Sequence, residues 1–339
     1  MTVKDKVFDG TTQAELDTVT HTDFVAGDDV ELVNGEPSFA YPCVRADIPI
    51  RLTDFRLTGS DADNYRLTNA QPEGVTAEIH PTPNYLDVTN KPEFDGKTTV
   101  TVDGVEYPIE EVDGERYVNL PETGDLLTIY SFKDGTQEGS YTNYPTGMQV
   151  FRITRQEGGA KAEEITEFAN LLNYAGCSIR LTGTKGIRMI TGIGENARTA
   201  LTGARGLGGY TLEEYGTVVM RGVGTPTLEN SKSHNFAYKR GKADPIFSRA
   251  NGMIQYTNVL VGFSLEDCKD TLTLRPYIKL KDMTTGETVT LYGGCVSRSI
   301  GYIAKQNENT YKPGTAGYKY IHEIIDAVYG KTEQGGETK

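Results

Sequence analysis

The 339-residue chain has no tryptophan, four histidines and four cysteines. Nowhere does it approach the run of ~18 apolar residues that a membrane-spanning helix needs. The first residues, Met1 to Thr12, lack the apolar core of a signal peptide, so none is expected there. No Asn-x-Ser/Thr acceptor for glycosylation occurs. Cys43, Cys177, Cys268 and Cys295 form no CxxC or other metal-ligand spacing. Their spacing does not choose among the possible pairings, and buried free thiols are the simplest reading. Histidine scarcity narrows the chemistry further. His21 and His80 fall in a turn and a linker, and His322 is assigned to the exposed side of the last helix. Only His234 is left for a nucleophilic triad, with no GxSxG elbow or catalytic-cysteine context near it. A hydrolase or transferase is therefore not expected.

What is abundant points to β structure. The chain holds 38 glycines and 20 tyrosines, a composition suited to short strands joined by turns. Charge is uneven. Residues 1–150 carry 10 Lys and Arg against 28 Asp and Glu, net −18, while residues 151–339 carry 24 against 19, net +5. The first part would be repelled by phosphate and the second is only mildly basic, which argues against nucleic acid.

Strand-like alternation appears at Val30–Val33, Ile48–Leu52, Phe55–Leu57, Asn64–Leu67 and Val75–Ile79, separated by turn signals. Three motifs sit in order here: Phe8-Asp9-Gly10-Thr11-Thr12, then Gly27-Asp28-Asp29-Val30, then Leu57-Thr58-Gly59-Ser60-Asp61-Ala62-Asp63-Asn64-Tyr65. Together with Thr76-Ala77-Glu78-Ile79 they resemble the YDG repeat, an immunoglobulin-like module of bacterial surface proteins. Phe8 replaces the usual tyrosine. The resemblance implies a β-sandwich over residues 1–80, with Tyr65 and Leu57 in its core.

Residues 81–150 read as a Pro-rich linker, with Pro81, Pro83 and Pro92, followed by a small β bridging unit. Asp103-Gly104 between two β-branched runs is a hairpin signal, repeated at Asp113-Gly114. Leu120-Pro121-Glu122-Thr123-Gly124 matches a sortase pentapeptide but is followed by a long folded-looking sequence, so it reads as a turn.

Residues 151–331 read as a β-rich α+β domain and 332–339 as a flexible tail. Ala162, Ile165, Phe168, Ala169 and Leu172 share a helical face, predicting a helix. Leu272, Leu274, Ile278 and Leu280 alternate with polar residues, and Pro276 among them predicts an edge strand. Ile321, Ile324, Ile325 and Val328 predict a final helix, opened by Thr315 and closed by Gly330. This half resembles a C-terminal β-rich region of large modular surface proteins of Gram-positive anaerobes, which implies no activity.

The fold class expected is therefore mainly β: an immunoglobulin-like sandwich, a bridging unit and an α+β domain with two main helices. Gly203 to Gly209 is neither GxGxxG nor a P-loop and reads as a surface loop. Asp28, Asp29, Asp61 and Asp63 offer hard oxygens for calcium without EF-hand spacing, and solvated turn acids are the plainer alternative. Lys232, His234, Tyr238, Lys239, Arg240 and Lys242 form the densest basic run. They are the candidate ligand-binding residues, suited to sulfated or sialylated glycans or to the acidic first half, unless the run is simply a solvated loop. No cofactor is called for. We read the chain as a non-catalytic fragment of a secreted, modular bacterial cell-surface protein, acting as spacer or adhesive module. The alternative is a specific binder of a host glycan or host protein such as mucin or immunoglobulin. A carbohydrate-active enzyme is third. Partners would be those host molecules and neighbouring domains of the parent chain.

Overall fold

The computed structural model describes residues 1–68, 74–134, 143–231, 233–242 and 246–331. These are mainly β, with three α-helices among them. The chain separates into two compact units. The first comprises Met1–Val100, Tyr107–Thr123 and Ile153–Ala162, and the second the remainder.

The first unit is built on a four-stranded sheet of Lys6–Val7, Thr76–His80, Arg45–Thr53 and Glu36–Phe39, in that order. Arg45–Thr53 explains its core. Ile48, Ile50 and Leu52 are buried while Pro49, Arg51 and Thr53 face solvent, the period of two that a half-buried strand requires. Phe39, Ala77 and Ile79 pack on the same face. A two-stranded ribbon of Glu31–Val33 and Arg56–Thr58 completes the part that carries the ordered motifs.

This core does not stop at residue 80. Phe8 meets Tyr85 and Tyr117 edge-on at 4.9 and 5.4 Å, and the two tyrosines stack at 4.8 Å. Tyr85 lies on the strand Tyr85–Asp87, hydrogen-bonded to Glu115–Asn119 in a three-stranded sheet. Phe94, in the turn Pro92–Phe94, is buried. The segment read as linker thus supplies core rings, and the boundary at 80/81 and the separate bridging unit 81–150 are not what the chain forms. Asp103-Gly104 and Asp113-Gly114 do make their turns, both residues of each pair with positive φ, as a type I′ turn demands.

In the second unit, two sheets pack about a shared core. One holds Leu172–Arg180, Gly186–Gly194, Met253–Val261 and Ser248–Ala250. The other holds Ser233–Lys239, Tyr210–Arg221, Thr271–Asp282 and Thr288–Tyr292. Tyr256 from the first donates to the Gly216 carbonyl of the second at 3.0 Å, with its ring 4.7 Å from that of Tyr215. Helices α1 (Glu195–Thr202), α2 (Ile300–Gln306) and α3 (Ala316–Tyr329) follow. α3 is the predicted final helix. Thr315 accepts from the Tyr318 amide, Gly330 follows its end with φ +85°, and Ile321, Ile324 and Ile325 are buried.

Three expectations fail here. Residues 162–172 are not helical: Lys161–Glu164 is a strand and Thr166–Phe168 a single 3-10 turn. The Ile165 and Asn170 amides donate to Val150 and Met148 carbonyls, so these backbone groups pair with a neighbouring strand. Ile165, Phe168, Leu171 and Leu172 still reach the core, which is why their spacing looked helical. Pro276 does not mark an edge. Thr271–Asp282 lies mid-sheet, with Tyr210–Arg221 on one side. On the other side its partner changes, from Thr288–Tyr292 to Val296–Ser299, beside Pro276. The Pro276 carbonyl accepts from the Gly293 amide, and the Gly293 carbonyl, which proline cannot serve, accepts from Arg275 Nε at 2.9 Å instead. His322 is half-buried, its ring 3.9 Å from that of Tyr318 and its Nε2 buried without a partner. The tail 332–339 lies outside the described residues.

Candidate binding site

The irregular segment 19–30 is clamped to the turn 59–65. Asp61 accepts a hydrogen bond from the Asp29 amide at 2.9 Å. Asp29 accepts from the Ser60 amide and hydroxyl, both at 3.0 Å, and these bonds hold its carboxyl below the usual range. The Tyr65 hydroxyl donates to Asp28 at 2.7 Å and accepts from the Val25 amide at 2.8 Å. Gly59, at φ +112°, lies so close to the segment that a Cβ would overlap the Asp29 carbonyl.

Asp28, Asp29 and Asp61 therefore act as staples between two stretches of chain, and Asp63 is exposed. The described residues contain no group of three His, Cys, Asp or Glu placed to hold a metal ion. Tyr65 and Leu57 are half-buried rather than core, because the clamp holds the Tyr65 hydroxyl at the rim.

Between clamp and ribbon lies a groove of about 650 Å³, floored by Leu32, Phe55 and Leu57. Its wall is a set of rings. His21 stacks on Phe24 at 5.0 Å, and Phe24 meets Tyr65 edge-on at 5.2 Å. Its rim carries Thr22, Asp23, Arg66 and Thr68. Among the described residues these four exposed side chains have no hydrogen-bond partner. Nothing in the sequence marked His21, Asp23, Phe24 or Arg66, since an irregular loop has no period.

The basic run is differently placed. Lys232 lies outside the described residues. His234 and Tyr238 pair through their backbones with Val218 and Tyr215. Lys239 Nζ lies 3.8 Å from Glu214, and Arg240 Nε 3.1 Å from both Glu213 and the Leu212 carbonyl. Lys242 is exposed in the following turn. The neighbouring strand thus supplies acids that offset two of the three described cations. The four cysteines are free. Burial raises the Cys43 thiol and pushes that of Cys268 up to about 11.

Residues 1–73 match the family model of the YDG domain. The matched stretch contains both sides of the clamp, so the second and third of its ordered motifs are the two halves of one fastening. Phe8, where the YDG motif usually has tyrosine, is buried against Tyr85 and Tyr117 with no need of a hydroxyl. No curated protein matches the chain at a significant level. Among solved structures, a DUF3823 family protein from Bacteroides ovatus ATCC 8483 is 10% identical, covering 60% of this chain and 89% of that one, with a TM-score of 0.25.

Proposed function

We propose that this chain is a non-catalytic module of a secreted, modular bacterial cell-surface protein, serving as spacer and adhesive element. The observation that carries this reading is the YDG domain at residues 1–73. Its ordered acids are spent on fastening a loop rather than gathered around a reacting atom, which suits a binding or spacing role. The second unit is read the same way, from its sequence likeness to surface proteins of Gram-positive anaerobes.

Immunogold labelling of intact producing cells with antibody to the purified chain tests the location. Label at the cell exterior supports the reading, and label confined to the cytoplasm overturns it. A second test incubates the chain with glycan and peptide libraries. Turnover that survives repurification would make it an enzyme. A second reading, specific recognition of a host glycan or host protein, is favoured by the ring-walled groove of the first unit.

A further inference from the structure

We propose that the groove walled by His21, Phe24 and Tyr65 is a site for a neutral oligosaccharide; this rests on the binding-module reading above. The groove's volume, about 650 Å³, falls within the roughly 300–1,000 Å³ of small-ligand sites. Its floor is apolar and its wall aromatic. A pyranose ring matches such a surface, because its C–H face packs against the electron-rich face of an aromatic ring. Its hydroxyls then project toward the rim. There Asp23 offers two acceptor oxygens, Arg66 a fork of donors, and Thr22 and Thr68 hydroxyls that both donate and accept.

Two features separate a built site from a chance hollow. The ring wall is preorganised, since Tyr65 is held at its hydroxyl by Asp28 and Val25 and needs no reordering on binding. The division of labour is also clean: the acids of the clamp are occupied, whereas the rim groups have no partner among the described residues. Charge selects the sugar class. Asp23 and Asp28 outnumber the single guanidinium of Arg66, in the strongly acidic half of the sequence. A sialylated or sulfated glycan would meet repulsion there, and a neutral one would not.

The test titrates the full chain with neutral hexasaccharides of glucose, mannose and N-acetylglucosamine, and with sialyllactose and a heparin oligosaccharide as anionic probes. Asp23→Asn, Arg66→Ala and His21→Ala alter exposed side chains, and unchanged melting temperatures show that they fold. Lys239→Ala/Arg240→Ala is the control for the basic run. At least one neutral probe should bind, about tenfold more weakly to Asp23→Asn and to Arg66→Ala, and equally well to the control. The assignment is overturned if no neutral probe binds, if the groove variants bind as well as the parent, or if only anionic probes bind. Cell labelling is independent of these titrations. A surface-located chain that ignores every neutral probe would sink the groove and leave the module reading standing.

Discussion

The Tyr65 hydroxyl lies 2.7 Å from the Asp28 carboxylate, joining residues 37 positions apart. Phenol and carboxylate make a charge-assisted pair, and the bond raises the Tyr65 pKa. Both groups are near solvent, so the bond contributes modestly to stability. Its larger consequence is positional, because it holds a ring whose hydroxyl would otherwise be free to leave the groove wall.

Tyr65→Phe keeps the ring and removes the tether. It should lower the unfolding midpoint slightly, as should Asp28→Ala. A double-mutant cycle by denaturant unfolding should return a favourable coupling between the two side chains. Simple additivity would mean that the two side chains do not act on each other.

Gly59→Ala should be far worse than Gly10→Ala. Both glycines have positive φ, but a Cβ at Gly10 meets nothing within 4 Å, whereas at Gly59 it overlaps the Asp29 backbone. The expected costs are about 1 kcal/mol at Gly10 and about 2–3 kcal/mol at Gly59. Equal losses in melting temperature would show that the close approach does not govern the turn.

Arg275 is 1% exposed and donates to the Gly293 and Gly104 carbonyls, each at 2.9 Å, with the Tyr292 ring 4.8 Å from its guanidinium. Arg275→Met should cost about 3 kcal/mol, because two buried carbonyls lose charged donors. Arg275→Lys should recover little, since an ammonium cannot reproduce the flat fork. Full rescue by lysine would show that charge alone matters.

The buried tyrosines set an alkaline limit. Burial raises the pKa values of Tyr85, Tyr256 and Tyr277 above the ordinary 10.0. An acid raised by folding favours the native state below its unfolded pKa and loses that contribution as pH climbs past it. Melting temperature should therefore be insensitive to tyrosine ionisation below pH 10.0 and fall above it. A midpoint unchanged well above that pH would contradict the burial of these rings.

The mainly β character was legible because turns and alternation are local signals. Asp103-Gly104, Ile48–Leu52 and the Thr315-to-Gly330 helix each announce themselves in a few residues. The domain boundary was not legible, since Tyr85 and Tyr117 enter the core of Phe8 by contacts that no window of sequence contains. Ile165, Phe168 and Leu172 misled for a related reason: spacing reports which residues are buried, not the backbone that buries them. The groove was half legible. Its clamp lies in the YDG motifs, whereas Asp23 and Arg66 come to one rim only through the fold.

The change of partner beside Pro276 divides one sheet into regions of unequal permanence. Toward Tyr210–Arg221, the strand Thr271–Asp282 has a long ladder broken by one irregularity. Toward the other side it has two short ladders whose registers differ by one residue, with the break between Tyr292 and Val296. Thr288–Tyr292 and Val296–Ser299 can thus detach one at a time while the long ladder stays closed. Amide hydrogens along these two segments would exchange on separate clocks, both faster than those of the long ladder, so the same strand faces a durable neighbour on one side and replaceable ones on the other.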